Sequence, residues 1–102
     1  LLFEVLLNAT AMFNHANVAL PRALEPWVRR LLVTPCMHRV HHSVIEAERN
    51  SNYGFCLSVW DRWLGTYTPA PQGELDIGLP DRRDPQAVAT FRGVLALPFA
   101  KP

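Results

Sequence analysis

Thr34-Pro35-Cys36-Met37-His38-Arg39-Val40-His41-His42-Ser43 concentrates three of the chain's four histidines in five residues, and the rest of the sequence reads as arranged around it. Thr34 suits an N-cap. Pro35 suits the first helical position, where its missing N–H costs nothing, so a helix starts here. At about 100° per residue, His38 and His42 lie one turn apart on one face, and His41 is also a neighbour of His38. These imidazoles can share a metal. His41 and His42 diverge by about 100°, so the cluster suits two adjacent ions better than one wrapped ion. A lone histidine is ordinarily a surface or satisfied core residue. A His-x-x-His-His cluster flanked by apolar side chains has few structural uses, and neutral imidazole is the commonest protein ligand for iron, zinc and copper.

The chain's 102 residues allow one domain, and 49% hydrophobic content supports a small core. No initiator methionine or basic flank precedes the apolar run that opens at Leu1, so the sequence reads as a piece of something longer. Ten basic residues, dispersed and nearly matched by nine acidic ones, give a net charge of +1 and argue against a nucleic-acid footprint. Cys36 and Cys56 form no metal- or redox-type pair, so reduced thiols are expected rather than a disulfide.

Residues 1–13 form an apolar, helix-favouring run broken only by Glu4, Asn8 and Thr10. It is shorter than the roughly 20 residues a membrane crossing needs, so it is either an amphipathic core helix or the last turns of a transmembrane helix. His15 follows, beside Asn14 and Asn17, where a helix-end histidine would be favoured by the C-terminal dipole. Pro21 and Pro26 frame a turn into a second helix expected at 27–33. Its Trp27, Arg29 and Arg30 suit a membrane interface near anionic lipid as well as an ordinary amphipathic helix. Residues 46–52 are polar and turn-rich, which predicts a loop over the site and outside the core. The stretch 55–64 predicts a last short helix that Gly65 ends, with Asp61 and Arg62 readable from pattern alone as a solvated ion pair. From Pro69 onward, frequent Pro and Gly predict loops and one short helix within 85–97. Without alternating strand patterns the fold class is all-α, with a body at 1–68 and a loop-rich tail at 69–102.

Residues 13–67 resemble the C-terminal catalytic segment of the fatty acid hydroxylase/sterol desaturase superfamily. The likeness lies in four signatures in order. Phe13-Asn14-His15-Ala16-Asn17 is followed by Leu20-Pro21, and Val33-Thr34-Pro35 leads into His38-Arg39-Val40-His41-His42. Ser51-Asn52-Tyr53-Gly54 comes next, then Leu57-Ser58-Val59-Trp60-Asp61-Arg62 closing on Leu64-Gly65-Thr66-Tyr67. Ile77-Gly78-Leu79-Pro80 in the tail is also family-like. The resemblance implies the C-terminal fragment of a membrane-embedded, helical, histidine-box di-iron fold. It implies His15, His38, His41 and His42 as metal ligands, with Asn17, Asn52 and Asp61 supporting them and Asp61 orienting a histidine through its second nitrogen. Asn14, where many relatives carry another polar residue or histidine, stays outside the ligand set.

The implied cofactor is iron as a di-iron pair, with zinc as a possible substitute. The implied reaction is O2-dependent hydroxylation or desaturation at a C–H bond of a sterol, fatty acyl or related lipid. The implied location is a membrane, with the histidine site on the cytosolic side, and the partners are the lipid and an electron-donating reductase or cytochrome. The family's centre draws on more histidines than this chain holds, so the chain alone is expected to be inactive. The alternatives are a zinc-binding or vestigial module without redox chemistry, since four histidines satisfy one zinc by number, and a structural segment that binds no metal. One shared dinuclear centre requires all ligating nitrogens within roughly 8 Å of one another. His15 must then fold back onto the histidine helix, with His38, His41 and His42 facing the end of the first helix and Arg39 and Val40 turned away.

Overall fold

The apolar run at the start forms α1 (Leu2–His15), whose leucines, alanines and Met12 are good helix formers. Its polar residues satisfy themselves along the helix: the Asn8 amide donates to Glu4 O at 2.8 Å and the Thr10 hydroxyl to Leu6 O at 2.7 Å. The helix stops at Ala16, which is extended at φ −65° and ψ 143°. This computed structural model describes residues 1–80 and 84–100; of the tail expected at 69–102, residues 81–83 and 101–102 lie outside the described residues. No described helix is long and apolar enough to cross a membrane.

The second helix is shorter and earlier than the expected 27–33. It is α2 (Glu25–Val28), with Pro26 in its first turn. Leu31 to Val33 are instead drawn into pairing with a distant segment, through Val33 N–H to Cys56 O at 2.9 Å and Ser58 N–H to Leu31 O at 3.0 Å. The same pairing keeps residues 55–58 out of the last helix of the body, which is only α5 (Val59–Leu64), as numbered after the two helices between. Gly65 ends that helix in the left-handed region at φ 73°, where the absence of Cβ avoids strain.

The histidine helix is α3 (Pro35–His41), capped by the Thr34 hydroxyl accepting from Met37 N–H at 3.3 Å. It buries Met37 and Val40, and with Val33 these are the buried hydrophobic residues of the described chain. Around them sits a larger buried polar set: Asn14, Thr34, Ser43, Glu48, Ser51, Asn52, Ser58 and Asp61. Beyond α3 the chain pairs back on the tail, with Val44 N–H to Asp76 O at 2.9 Å and Gly78 N–H to His42 O at 3.0 Å.

The polar stretch expected as a loop outside the core carries a helical turn, α4 (Glu46–Arg49), and supplies buried residues. Glu48 and Asn52 are 1% and 0% exposed. They are buried because they satisfy the backbone of neighbouring loops: Gln72 N–H donates to Glu48 Oε1 at 2.6 Å, and Thr68 N–H donates to Asn52 Oδ1 at 2.9 Å. In the tail the one expected helix is split into α6 (Pro85–Ala89) and α7 (Phe91–Ala96), followed by a 3-10 turn at Leu97–Phe99. The break falls at Thr90, whose extended backbone lets its hydroxyl accept from Gly93 N–H at 3.1 Å as a new N-cap. Among the described residues there are helices and isolated bridges but no strands, consistent with the all-α class.

Candidate metal centre

α1 packs on α3 so that His15, the last residue of one, meets His38 and His42 at the end of the other. His38 Nε2 lies 3.2 Å from His15 Nε2 and 3.1 Å from His42 Nε2. One nitrogen from each of the three rings lies within 4.8 Å of the others. These spacings approach the edge of about 3.4 Å in a tetrahedron built on bonds of about 2.1 Å, so the three rings can face one ion. The His15 Nδ1–H donates to Ala11 O at 2.8 Å. A carbonyl only accepts, so the neutral ring presents its lone pair at Nε2, toward the other histidines.

His41 stands apart from this set. Its Nδ1–H donates to Ser51 O at 2.9 Å, and its ring lies 5.7 Å from His38, 5.5 Å from His42 and 5.7 Å from Tyr53, centroid to centroid. The carbonyl bond leaves the His41 lone pair on Nε2 as well. His38, the central ring, has a buried Nδ1 with no partner among the described residues.

Burial lowers the pKa of His38 to about 4, and repulsion from His42, His15 and His41 adds to the effect. His42 is lowered for the same reasons, burial first and then His41 and His15. Both rings are therefore neutral at physiological pH, the protonation state in which imidazole binds metal. An all-imidazole donor set of this kind fits a divalent first-row ion such as iron or zinc.

The residues expected to support the histidines act at one remove. Asp61 orients no histidine. Its carboxylate, 2% exposed, accepts from Tyr53 N–H at 2.8 Å, Gly54 N–H at 2.9 Å and the Thr66 hydroxyl at 2.7 Å. That ties the loop after α4 to the end of α5. Asn52 holds the histidine helix by its backbone: its amide donates to Met37 O at 3.1 Å and Thr68 O at 2.9 Å, while its oxygen accepts from Thr68 N–H at 2.9 Å. These bonds keep Asn52 at φ 50°, the left-handed region that asparagine tolerates better than most residues. Asn17 accepts from Arg39 Nη2 at 3.1 Å.

Arg39 was expected to turn away from the site. It reaches across to the end of α1, bonding Ala16 O at 3.3 Å as well, and it lines the cleft of about 280 Å³ that also holds His15, His38 and His42. Asn14 lines the same cleft and anchors α1 through its amide to Phe55 O at 2.6 Å. Neither role has a local signature, because each partner lies far along the chain.

Residues 1–66 match the family model described as fatty acid hydroxylase. The ornithine lipid hydroxylase OlsE of Rhizobium tropici is 41% identical over 69 residues, which cover 67% of this chain and 20% of that relative. The chain thus matches about a fifth of the length of that curated relative. No solved structure matches the chain.

Proposed function

Because the chain belongs to the fatty acid hydroxylase family, we propose that His15, His38, His41 and His42 hold iron in a di-iron centre of an O2-dependent lipid hydroxylase or desaturase. The observation that carries this reading is the convergence of imidazole nitrogens from the ends of α1 and α3 at 3.1 and 3.2 Å. Bound iron would supply reductive activation of O2 toward a lipid C–H bond, with electrons from an external reductase or cytochrome. The chain's own part is to hold the rings. Ala11 O fixes His15 and Ser51 O fixes His41, so each turns a defined nitrogen outward, while Arg39 keeps the end of α1 seated against α3. His41, set apart from the other three, serves the second ion.

The substrate in this reading is a lipid and the location a membrane, with the histidine site on the cytosolic side. The exposed apolar residues Leu2, Phe3, Val5 and Leu6 on α1 support it. A mononuclear zinc site is the second reading, favoured by the fact that three nitrogens and not four converge on one point. Metal analysis after anaerobic loading with iron or zinc separates the two. Two irons per chain, one of them lost in His41→Ala, support the di-iron reading. One zinc retained in His41→Ala, with iron excluded, overturns it.

A further inference from the structure

Arg30 and Arg62 are cations that the proposed chemistry leaves unused. They meet in a cleft of about 370 Å³ that is also lined by Glu25, Pro26, Arg29 and Tyr67. Arg29 is committed: Nε and Nη2 donate to Glu25 Oε1 at 3.1 and 2.8 Å, and Nη1 to Pro69 O at 2.6 Å. Glu25 is committed as well, since the same oxygen accepts the Thr34 hydroxyl at 2.6 Å and its other oxygen is occluded. Arg29–Glu25 is the ion pair among the described residues, so neither Arg30 nor Arg62 has a carboxylate partner. Three guanidiniums against one carboxylate leave two uncompensated positive charges in a concave site.

These two side chains are held rather than loose. The Arg30 guanidinium lies 4.5 Å over the Trp27 ring, and that of Arg62 lies 3.8 Å over the Tyr67 ring with one bond to Arg29 O at 3.1 Å. Stacking fixes the plane of a guanidinium while leaving N–H edges free, the arrangement that grips a phosphate or carboxylate. Trp27, the ring under Arg30, is itself 65% exposed. A charged cleft with an exposed tryptophan stacked on one of its arginines suits an anion presented at a membrane–water boundary.

We propose that this cleft binds an oxyanion, a phosphate or carboxylate, presented by a lipid headgroup. The anion site stands on the arginine geometry alone; the lipid as its source rests on the function proposed above.

The test is a titration of the arginine Nε–Hε resonances of the full chain in maltoside micelles at constant ionic strength. Its arms are phosphatidylglycerol added to the micelles, a neutral diacylglycerol in the same amount, and free inorganic phosphate. The expected result is a saturable shift of the Arg30 and Arg62 resonances with phosphatidylglycerol and none with the neutral lipid. Arg30→Gln with Arg62→Gln should weaken binding about 30-fold, at roughly 1 kcal/mol per arginine, whereas Arg22→Gln with Arg92→Gln, an equal charge change elsewhere, should leave it within about 2-fold. Free phosphate shifting the same resonances as strongly as the lipid would keep the anion site and overturn the lipid source. No shift in either anionic arm, or equal weakening by both double variants, would overturn the site. If the Arg30/Arg62 variant fails to fold, the wild-type titration decides. Metal content of the same samples should be unchanged by Arg30→Gln with Arg62→Gln, so loss of the anion site and loss of the metal reading remain distinguishable.

Discussion

Asp61→Asn is the substitution for which two accounts of this fold give opposite results. The carboxylate accepts three hydrogen bonds: Oδ1 takes Tyr53 N–H and the Thr66 hydroxyl, and Oδ2 takes Gly54 N–H at 2.9 Å. Asparagine keeps one oxygen, so two of these bonds survive without their charge assistance. The third becomes an amide NH2 facing the Gly54 N–H, donor against donor. A hydrogen bond to a charged group contributes about 1.5–3 kcal/mol, and leaving its buried partner unsatisfied costs about as much again in the worst case. Losing one bond outright and weakening two should cost about 3 kcal/mol. For a domain of this size that is a fall in Tm of about 12–24 °C, readable by circular dichroism, while the metal affinity of the folded fraction stays within a few-fold. A Tm lowered by less than about 4 °C together with a 10- to 100-fold loss of metal affinity would overturn the loop-tying role of Asp61, because that pattern belongs to a carboxylate that orients a ligand.

Other outcomes follow from the same contacts. Asn52→Ala removes three bonds and puts alanine at φ 50°, so it should lower stability by about 2–4 kcal/mol in denaturant melts and also weaken metal binding, because one bond holds the Met37 carbonyl of the histidine helix. His38→Ala should abolish binding of the first ion in calorimetry, since its nitrogen is central to the convergent set, whereas His41→Ala should leave that ion bound with affinity reduced by about 10-fold or less. The pH dependence has a definite sign. His38 has a folded pKa of about 4 against an ordinary 6.5, so between those values the unfolded chain binds a proton that the folded chain refuses. Without metal, Tm should therefore fall as pH is lowered from 6.5 toward 4; a Tm that rises over that range would contradict the burial of His38. Gly54→Ala should also destabilise, because a Cβ there would meet Leu57 O at 2.7 Å and Asp61 Oδ2 at 2.9 Å; an unchanged melt would show that the loop gives way.

What could be read in advance was what depends on near neighbours. Thr34 and Pro35 specify a helix start within four residues, and the structure puts the cap and the first turn there. Gly65 likewise marks its own helix end. The return of His15 to the histidine helix was legible only through the family likeness, because nothing local to residues 13–17 requires it. Three readings failed for one shared reason. Leu31 to Val33 have helical periodicity but lie in a bridge to residues 56–58. Glu48, Ser51 and Asn52 look like a solvated loop but are buried, since a polar residue is placed by where its partners are and not by its own polarity. Asp61 reads as a surface pair with Arg62 or a histidine orienter, yet its partners are two backbone amides and a hydroxyl.

The meeting of His15 with His38 joins positions 23 residues apart in the chain. An ion shared by α1 and α3 would therefore be a cross-link in the topological sense, one that shuts a loop of about 24 residues. By the chain-entropy relation used for disulfides, such closure removes about 3.5 kcal/mol worth of freedom from the unfolded ensemble. Besides its packing on α3, this end of the chain is tied to the body, among the described residues, by the Asn14 amide on Phe55 O, Arg39 Nη2 on Ala16 O and Asn17 Oδ1, and the edge contact of Phe3 with Phe55. Seating of the first helix and occupancy of the histidines would then be two readings of one equilibrium. In hydrogen exchange, amides of residues 5–15 should lose protection together and first when a chelator is added, while the amides around Met37 and Val40 hold.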